Sequence, residues 1–438
     1  MSKHISTLPA IGLVFALVCA ACGQQPTPTP EIVRETVRET VVVEPTPQPE
    51  EPVTITYFTF SAAPDHLEDL DQMIQIFQEA HPNIIVEVET APFSDYFTML
   101  QTRIAGGEAP DVFELNFESF VSFASKGVLL DLNPLASEEA DFDASVYYPR
   151  AYDAFSFQGM QLGLPETFST VVLFYNKDLF DQAGLDYPAA DWTWDDAVAA
   201  ARELTNPDAG IWGLYSPIQF WEFYKKAAQN GCSFFSEDRS EVTIDAPECV
   251  QALETMLGFL EQGVMPTDAE MGGVSDGDMF LAGQLAMDVT GIWMFASFAD
   301  APFVWDIQVE PGLAQQATHF FANGVSAFAA TSHPQEAWEW LRFITSSPEV
   351  VSIRIETGWE LATLNAPEYF SAYLEQSPPE NRQAVFDSLN FAITPPVIER
   401  QNEMQDIVNR LLDQVKLGQL TPQEALDQAR VQIEELLP

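Results

Sequence analysis

The alternation of strand and helix patterns after residue 52 constrains the fold of this chain more than any other feature. Residues 53–60 and 84–90 are rich in β-branched and aromatic side chains with alternating polarity, which is typical of strands. Residues 67–80 carry apolar side chains at helical spacing, and Ser94 is positioned to cap a second helix. A third apolar strand follows at 109–115. This order predicts an α/β fold with a parallel sheet.

The rest of the folded region is too long for one small core. Residues 53–438 exceed the size at which chains divide into separate packed units, so we expect two lobes. An apolar strand is predicted at 170–175. Thr193 and Thr421 each begin a capping box at the start of a helix. The helices predicted in this region cover residues 193–204, 248–262, 334–345, 399–415 and 421–437.

The N-terminus has the layout of an export signal. Lys3 precedes an apolar run at 8–21 that is too short to span a bilayer comfortably. Small residues before Cys22 resemble a bacterial lipobox, in which the cysteine thiol receives a diacylglyceryl group. Cys19 stands where a lipobox usually has leucine. We expect a lipoprotein signal peptide over residues 1–22, with plain secretory cleavage as the alternative.

Residues 23–52 have the composition of a tether. They read GQQPTPTPEIVRETVRETVVVEPTPQPEEP, without an apolar helical face. Such a segment cannot bury enough apolar surface to fold, and its prolines favour extended polyproline II. At about 3.1 Å per residue it would reach roughly 90 Å. We therefore expect a disordered Pro/Thr/Glu-rich tether that lets a folded unit work away from the membrane surface.

The acidic composition excludes two classes of partner. The chain has 66 acidic and 18 basic side chains, a formal net charge of −48. Nucleic-acid binding requires a basic surface, and anionic lipid headgroups would repel this chain. No apolar stretch beyond the export signal is long enough for a transmembrane helix. The sequence therefore predicts no nucleic-acid partner and membrane attachment through the lipid alone.

Two cysteines fall in the folded region, Cys232 and Cys249. An exported protein meets oxidising conditions, so these two residues predict a disulfide bond. The intervening sequence predicts two short strands around a polar turn. A zinc site would need two more Cys or His ligands, and the five histidines of the chain are widely scattered. We expect a disulfide here and no metal site.

The sequence lacks most motifs that carry catalysis. GxxxxGK[ST], GxGxxG and HExxH do not occur, so phosphate-loop, dinucleotide and zincin sites lack their minimal parts. Residues 273–277 match GxSxG, but a polar turn precedes them where a nucleophile elbow needs an apolar strand. No two carboxylates are marked as a glycosidase pair. Tyr147 and Tyr148 are expected to pack. We expect no catalytic residues and no cofactor.

Five segments spread along the folded region together resemble one protein family. They are GGEAPDVFEL at 106–115, GLPETFSTVVLFYNKDLFDQAGL at 163–185, TWDDAVAAARELT at 193–205, FLAGQLAMDVTGIWM at 280–294 and LTPQEALDQARVQIEELL at 420–437. In this order, behind a lipoprotein signal and a polar tether, they resemble the extracellular solute-binding proteins, family 1, which serve carbohydrate ABC importers.

The resemblance implies an α/β architecture of the type II periplasmic-binding-protein fold, with two α/β lobes, a hinge and a ligand cleft between them. The implied first lobe takes residues 53–165 and about 306–331. The implied second lobe takes about 166–305 and 332–438. Open α/β sheets bind ligands beyond the carboxyl ends of their strands, and hinge closure buries the ligand.

A sugar needs aromatic rings against its C–H faces and fixed polar groups for its hydroxyls. Glu166 and Thr167 are expected in a crossover loop, Trp221 in an aromatic loop, and Asn323 with Gly324 at a turn. The residues that the resemblance nominates for ligand binding are Phe60, Glu114, Asn116, Glu166, Thr167, Trp221, Asp276, Trp293, Asn323, Gly324, Trp359 and Glu360.

The resemblance implies a monomeric, lipid-anchored receptor that captures a sugar or oligosaccharide and delivers it to the permease subunits of an ABC importer. One alternative is a receptor for a polyamine or peptide, since acidic loops favour a cationic ligand. Another is an exported hydrolase, which would need a buried, interacting set of acid, base or nucleophile. A receptor needs aromatic side chains that face a cleft instead.

Overall fold

The computed structural model describes residues 52–60, 64–236, 239–357, 361–364 and 367–437. The predicted signal peptide with Cys22, the tether up to residue 51, Trp359 and Glu360 lie outside the described residues. The strands are β1 (Val53–Thr59), β2 (Ile84–Thr90), β3 (Val112–Asn116), β4 (Ser156–Phe157), β5 (Met160–Gln161), β6 (Leu164–Asn176), β7 (Met287–Gly291), β8 (Trp305–Gln308), β9 (Thr318–Ala327), β10 (Leu361–Ala362) and β11 (Ala392–Ile393).

Helices cover most of the remaining described chain. They are α1 (Pro64–Ala80), α2 (Phe93–Gly106), α3 (Phe117–Ser125), α4 (Asn133–Glu138), α5 (Pro149–Ala154), α6 (Lys177–Ala183), α7 (Trp194–Leu204), α8 (Phe220–Gln229), α9 (Pro247–Glu261), α10 (Asp268–Met271), α11 (Asp276–Leu281), α12 (Phe295–Phe298), α13 (Pro334–Ser346), α14 (Pro348–Thr357), α15 (Pro367–Leu374), α16 (Gln383–Ser388), α17 (Gln401–Lys416) and α18 (Pro422–Glu434). Short 3-10 turns lie at 144–146, 207–209, 292–294 and 389–391.

The main sheet has the order β10-β6-β9-β3-β1-β2. The predicted parallel arrangement is confirmed for the first three strands, because β1 pairs in parallel with both β2 and β3. The sheet as a whole is mixed, since β9 runs antiparallel to β3 and to β6. Local patterning predicts strands, but the insertion of a late strand beside an early one depends on non-local pairing.

The long strand β6 belongs to two packed regions. Its first residues pair with β9, beside β3, whereas its last residues pair with β7 and β8. All thirteen residues of β6 are buried, as expected for a strand covered on both faces. Phe168 and Phe174 join one hydrophobic cluster, and Leu173 and Tyr175 join another. Alternating side chains on opposite faces thus tie β6 to both clusters.

The packing of α13 differs from the predicted division into lobes. Trp340 on this helix contacts Tyr57 of β1 edge-on at 5.6 Å between ring centroids and Phe77 of α1 at 5.1 Å. These rings share a buried cluster with the first strands. Helix α13 therefore packs against β1 and α1, whereas the predicted division groups residues 334–346 with the second lobe.

A disulfide bond joins Cys232 and Cys249, as predicted. The loop between them contains one antiparallel bridge, Phe235 with Val242, in place of the two predicted strands. Both cysteines are buried, and Cys249 lies in the first turn of α9. In the chain-entropy model, closing a loop of this length adds about 3 kcal/mol to the free energy of unfolding. The bond fixes this loop against α9.

Candidate ligand-binding site

A row of polar side chains crosses three neighbouring strands. Asn116 at the end of β3 lies opposite Asn323 of β9, which in turn lies opposite Thr167 of β6. Directly opposed residues of antiparallel strands share one face, so the three side chains point the same way. The Asn323 amide donates to the Thr167 hydroxyl at 3.3 Å, and the Asn116 side chain also caps α3 by accepting from Ser119 N–H. Asn116, Asn323 and Thr167 are called the polar row below.

The ends of β1 and β3 extend this face. Thr59 donates from its hydroxyl to the Glu114 carboxylate at 2.6 Å, and both side chains are buried. Tyr96 of α2 donates to the carbonyl oxygens of Phe58 and Glu114, at 2.8 and 2.9 Å. The half-buried Phe60 ring contacts Tyr96 edge-on at 5.2 Å. The two strand ends are therefore held in one fixed arrangement, with an aromatic ring beside a carboxylate.

Glu166 is placed by an irregularity in β6 and not by the predicted crossover loop. The register between β6 and β9 shifts between Pro165 and Thr167, which leaves Glu166 as the extra residue of a bulge. Its carboxylate forms a buried ion pair with Arg354 of α14. Burial, and then the charges of Glu166 and Glu114, raise the pKa of Tyr57 well above its ordinary value. The two carboxylates therefore lie near this phenol at the centre of the sheet.

Three aromatic rings cluster on the same face as the polar row. Phe321 lies two residues before Asn323 on β9, so the two side chains share a face. The Phe321 ring lies 5.8 Å from Trp221 and 5.3 Å from Trp293, between centroids. All three rings are partly exposed. Trp221, Phe321 and Trp293 form what we call the aromatic trio. Nothing in the sequence marks Phe321, which has the pattern of an ordinary strand residue.

Trp221 and Trp293 have different supports. Trp221 lies in the first turn of α8 and not in the predicted loop. The N-cap residue Gln219 makes no side-chain cap, and the Phe220 N–H donates to the side-chain oxygen of Asn409 on α17 at 2.7 Å. Trp293 lies in the 3-10 turn at 292–294 that follows β7, as the Gly-X-Trp pattern predicts. Rings on a helix start and on a tight turn are held by rigid elements, which suits recognition of a flat ligand surface.

Gly324 has a packing role and does not lie at a turn. It is an internal residue of β9, paired with Leu115 and Pro165. A Cβ atom at this position would approach the Phe155 ring to 2.7 Å and the Leu164 carbonyl oxygen to 2.9 Å. The absence of a side chain therefore permits close packing of β9 against its neighbours. The predicted turn is wrong, because Asn323 and Gly324 are both internal residues of β9.

Asp276 lies apart from the polar row. It is the first residue of α11, is partly exposed, and its pKa is raised by burial. Its charge contributes to raising the pKa of Tyr215, after burial. A Cβ atom at the adjacent Gly277 would meet the end of Met294, which follows Trp293. Asp276 is therefore near the turn that carries one ring of the aromatic trio.

The GxSxG match at 273–277 is a helix cap. Ser275 accepts the Asp278 N–H at 3.1 Å and donates to the Asp278 carboxylate at 2.8 Å. The short helix α10 precedes the motif, where a nucleophile elbow would have an apolar strand. Tyr147 is buried and bonds to the Thr345 hydroxyl at 2.8 Å, which confirms its packing role. The GxSxG segment therefore lacks the surroundings of a nucleophile elbow, and Tyr147 is a packing residue.

Four buried charges next to the aromatic trio were not anticipated. Lys225 and Lys226 of α8 each pair with both Glu222 and Glu310, at 2.5–2.8 Å. The lysine side chains and that of Glu310 are 0% exposed. Burial opposes ionisation of Glu222, but the two lysines outweigh it and hold its pKa at about 2. This charge quartet fixes the helix that carries Trp221.

Two features are absent from the described ranges. No group of three or more His, Cys, Asp or Glu side chains there is arranged to hold a metal ion. None of the helices there combines the length and apolar character needed to cross a bilayer.

A family model of bacterial extracellular solute-binding proteins matches residues 63–350. The chain belongs to this family. The polar row and aromatic trio of this solute-binding protein therefore lie in a fold whose members bind solutes outside the cytoplasm. The family is one of binding proteins and not of enzymes, in agreement with the helix-cap geometry of the GxSxG segment.

Solved structures and a curated relative share this fold or sequence. An ABC substrate-binding protein from Listeria monocytogenes in complex with cycloalternan is 45% identical, with a TM-score of 0.86 over 88% of this chain and 99% of that one. A cyclic α-maltosyl-1,6-maltose binding protein from Arthrobacter globiformis is 21% identical, with a TM-score of 0.72 over 88% and 99%. The maltotriose-binding protein of Pyrococcus abyssi is 22% identical over 68% of this chain and 64% of its own length. The solute-binding protein thus has the type II periplasmic-binding-protein fold.

Proposed function

We propose that this chain is a receptor that binds an oligosaccharide between two lobes and delivers it to an ABC importer. The observation that carries the proposal is the position of the aromatic trio beside the polar row on one face of β6 and β9. Flat apolar rings next to fixed hydrogen-bonding groups match the two faces of a sugar ring. The polar row has two neutral amides and a hydroxyl, which match the hydroxyls of a sugar and supply no countercharge to a polyamine.

A cyclic oligosaccharide is the first candidate ligand. The Listeria monocytogenes protein, 45% identical, was solved with cycloalternan, and the Arthrobacter globiformis protein is named for cyclic α-maltosyl-1,6-maltose. The maltotriose-binding relative supports the wider class of oligosaccharides. A ring of sugars presents a broad, curved C–H surface, which three rings in contact can cover together.

We propose that β6 and β9 form the hinge between the lobes. Both strands run from the region of β1 and β3 to the region of β7, β8 and β11. The contacts of Trp340 support an assignment of residues 334–346 to the first lobe, with β1 and α1. Residues 305–308 accompany β6 in the second lobe, because β8 pairs with its last residues. The remaining boundaries are retained as predicted from the sequence.

The ligand class is tested by a thermal-shift screen of the purified protein. We expect cycloalternan and related oligosaccharides to raise the melting temperature, since a ligand at one hundred times its Kd adds about 2.7 kcal/mol to the free energy of unfolding. Spermidine and a tripeptide serve as matched non-sugar ligands and should produce no shift. A shift with spermidine or the tripeptide, and none with any saccharide, would contradict the oligosaccharide proposal.

We propose that a lipid on Cys22 anchors a monomeric receptor close to its permease, with residues 23–52 as a tether. The support is the lipobox-like sequence and the polar composition that follows it. Expressed in a bacterial host with a lipid-labelling fatty acid, the wild-type chain should incorporate label and remain with membranes. The variant Cys22→Ser should lose both properties. Label retained by that variant would exclude Cys22 as the anchor.

A further inference from the structure

Three buried polar side chains meet between α3, β9 and α8. The Nε2 atom of His319 lies 3.3 Å from the Glu118 carboxyl, and its Nδ1 atom is hydrogen-bonded to the Tyr224 hydroxyl. Glu118 and His319 are at most 1% exposed, and Tyr224 is 4% exposed. These residues lie far apart in the sequence and come from three different elements, so the contact exists only in the assembled fold. Glu118, His319 and Tyr224 are called the buried junction below.

The buried junction touches the aromatic trio directly. The His319 ring stacks on Phe321, and the two residues share a face of β9. The same ring lies 5.6 Å from Trp221, between centroids. Tyr224 follows Trp221 by three residues on α8, so the two side chains lie on one side of that helix. A displacement of the His319 ring would therefore move two rings of the trio.

The Glu118 carboxyl of the buried junction keeps its proton at neutral pH. Burial raises the pKa of Glu118 to about 8, while burial and then the charge of Lys225 lower the pKa of His319 well below its ordinary value. At pH 7 the acid is therefore protonated and the imidazole neutral, with 3.3 Å between the Glu118 carboxyl and Nε2. The charged groups of the quartet, Glu222 and Glu310 among them, face Tyr224 from α8 and from residue 310. Ile393, paired with His319 on β11, adds no charge.

Loss of this proton would leave an anion in an apolar setting. Apart from its own backbone amide, the Glu118 carboxyl accepts no hydrogen bond among the described residues. An unpaired carboxylate in a low-dielectric site is strongly unfavourable, so the site relaxes by admitting water or by shifting the side chains. Either response displaces the His319 ring that supports Phe321 and Trp221.

We infer that Glu118, His319 and Tyr224 position the aromatic trio for ligand as long as the Glu118 carboxyl is neutral, so that ligand affinity is lost at alkaline pH. The inference rests on the proposed function, because the trio is the proposed ligand surface. Ligand affinity has its highest value at pH values below the pKa of Glu118 in the folded protein, and it falls as the pH rises through that pKa. His319 adds no loss of affinity until pH falls to its folded pKa, which burial lowers well below 6.5.

The test is a calorimetric titration with cycloalternan at pH 7 and pH 9. For a single linked proton lost near pH 8, we expect Kd to rise about tenfold between the two values. In Glu118→Gln the side chain is neutral at both values, so the ratio of the two Kd values should fall below about twofold. Glu139→Gln removes a carboxylate that pairs with Arg342, and this control should keep the tenfold ratio. A wild-type ratio near one, or an unchanged ratio in Glu118→Gln, would overturn the inference.

A second measurement does not need the ligand. In NMR spectra of histidine-labelled protein, the imidazole signal of His319 should be that of a neutral ring from pH 6 upward. This signal should shift with a midpoint near pH 8 as Glu118 loses its proton. The shift should be absent in Glu118→Gln. A His319 signal without a change near pH 8 would reject the buried junction. If that shift occurs but cycloalternan does not bind at pH 7, the ligand proposal fails and the proton-holding junction stands.

Discussion

Replacement of Lys226 by methionine is expected to lower the free energy of unfolding by about 3–5 kcal/mol, the usual cost of breaking a buried ion pair. The Lys226 ammonium bonds to the Glu222 and Glu310 carboxylates at 2.6 and 2.7 Å, and its side chain is fully buried. It also lies over the Trp194 ring at 3.5 Å. Methionine fills most of the volume but leaves two buried carboxylates with a single cation. Urea unfolding followed by circular dichroism measures the loss.

Lys177→Met is the matched control for this prediction. Lys177 pairs with Glu380 at 3.1 Å, but the Glu380 side chain is 71% exposed, so the pair is screened by water. Its loss should cost less than about 1 kcal/mol. A double variant, Lys226→Met with Glu310→Gln, restores the charge balance and should recover part of the stability. Equal losses for Lys226→Met and Lys177→Met would show that the quartet is not a stabilising unit.

The contribution of Glu222 to the pH dependence of stability has a definite sign. The folded pKa of Glu222 is about 2, below its ordinary value of 4.5, because Lys225 and Lys226 outweigh the opposing effect of burial. The stability that this carboxylate contributes is present above about pH 4.5 and is lost as pH falls towards 2. The stability difference between wild type and Lys226→Met should therefore narrow in acid.

Trp293→Ala is expected to weaken binding of cycloalternan by about 30-fold or more, since a central aromatic side chain of a binding surface commonly contributes about 2 kcal/mol or more. Trp293 contacts Phe321 at 5.3 Å between centroids and lies partly exposed on a tight turn. Its removal deletes one wall of the aromatic trio while the buried clusters stay filled. Calorimetric titration at pH 7 measures the change in Kd.

Trp192→Ala is the control for the loss of a partly exposed tryptophan. Trp192 packs 6.5 Å from Phe180, between centroids, before α7 and outside the aromatic trio. This variant should change Kd by less than about twofold, because a contact outside the binding surface contributes little to affinity. If Trp293→Ala is folded, by its melting temperature, and binds as tightly as Trp192→Ala, the trio is not the ligand surface.

Local sequence patterns predicted helices and strands well where neighbouring residues alone determine them. The alternation at 53–116 gave β1, β2 and β3 with their intervening helices, and both predicted capping boxes form, at Thr193 and Thr421. Ser94 was a wrong choice of cap. Pro92 occupies the cap position and α2 begins at Phe93, so Ser94 is already helical. Such shifts of one or two residues reflect competition between nearby caps.

The site was predictable only in part, because its members are joined by non-local pairing. Asn116 and Thr167 could be placed at strand ends or crossovers, but their alignment through Asn323 depends on the antiparallel insertion of β9. Phe321 and His319 have the alternating pattern of any half-buried strand, so nothing in the sequence marks them as neighbours of two tryptophans.

The charge quartet was hidden by an ordinary pattern. Glu222, Lys225 and Lys226 stand at helical spacings that usually indicate a solvated face stabilised by weak ion pairs. Here the same spacing lies in a buried cluster, because Glu310, more than eighty residues away in the sequence, pairs with both lysines. Burial by a distant segment cannot be read from the local sequence.

Calorimetric titration of the wild-type protein with cycloalternan at pH 7 tests the central claim most directly. The account predicts saturable binding of one oligosaccharide per chain, through the aromatic trio and the polar row, with weaker binding in Trp293→Ala and normal binding in Trp192→Ala. Absence of saturable heat with cycloalternan and with the other saccharides of the screen, while spermidine or a peptide binds, would contradict it.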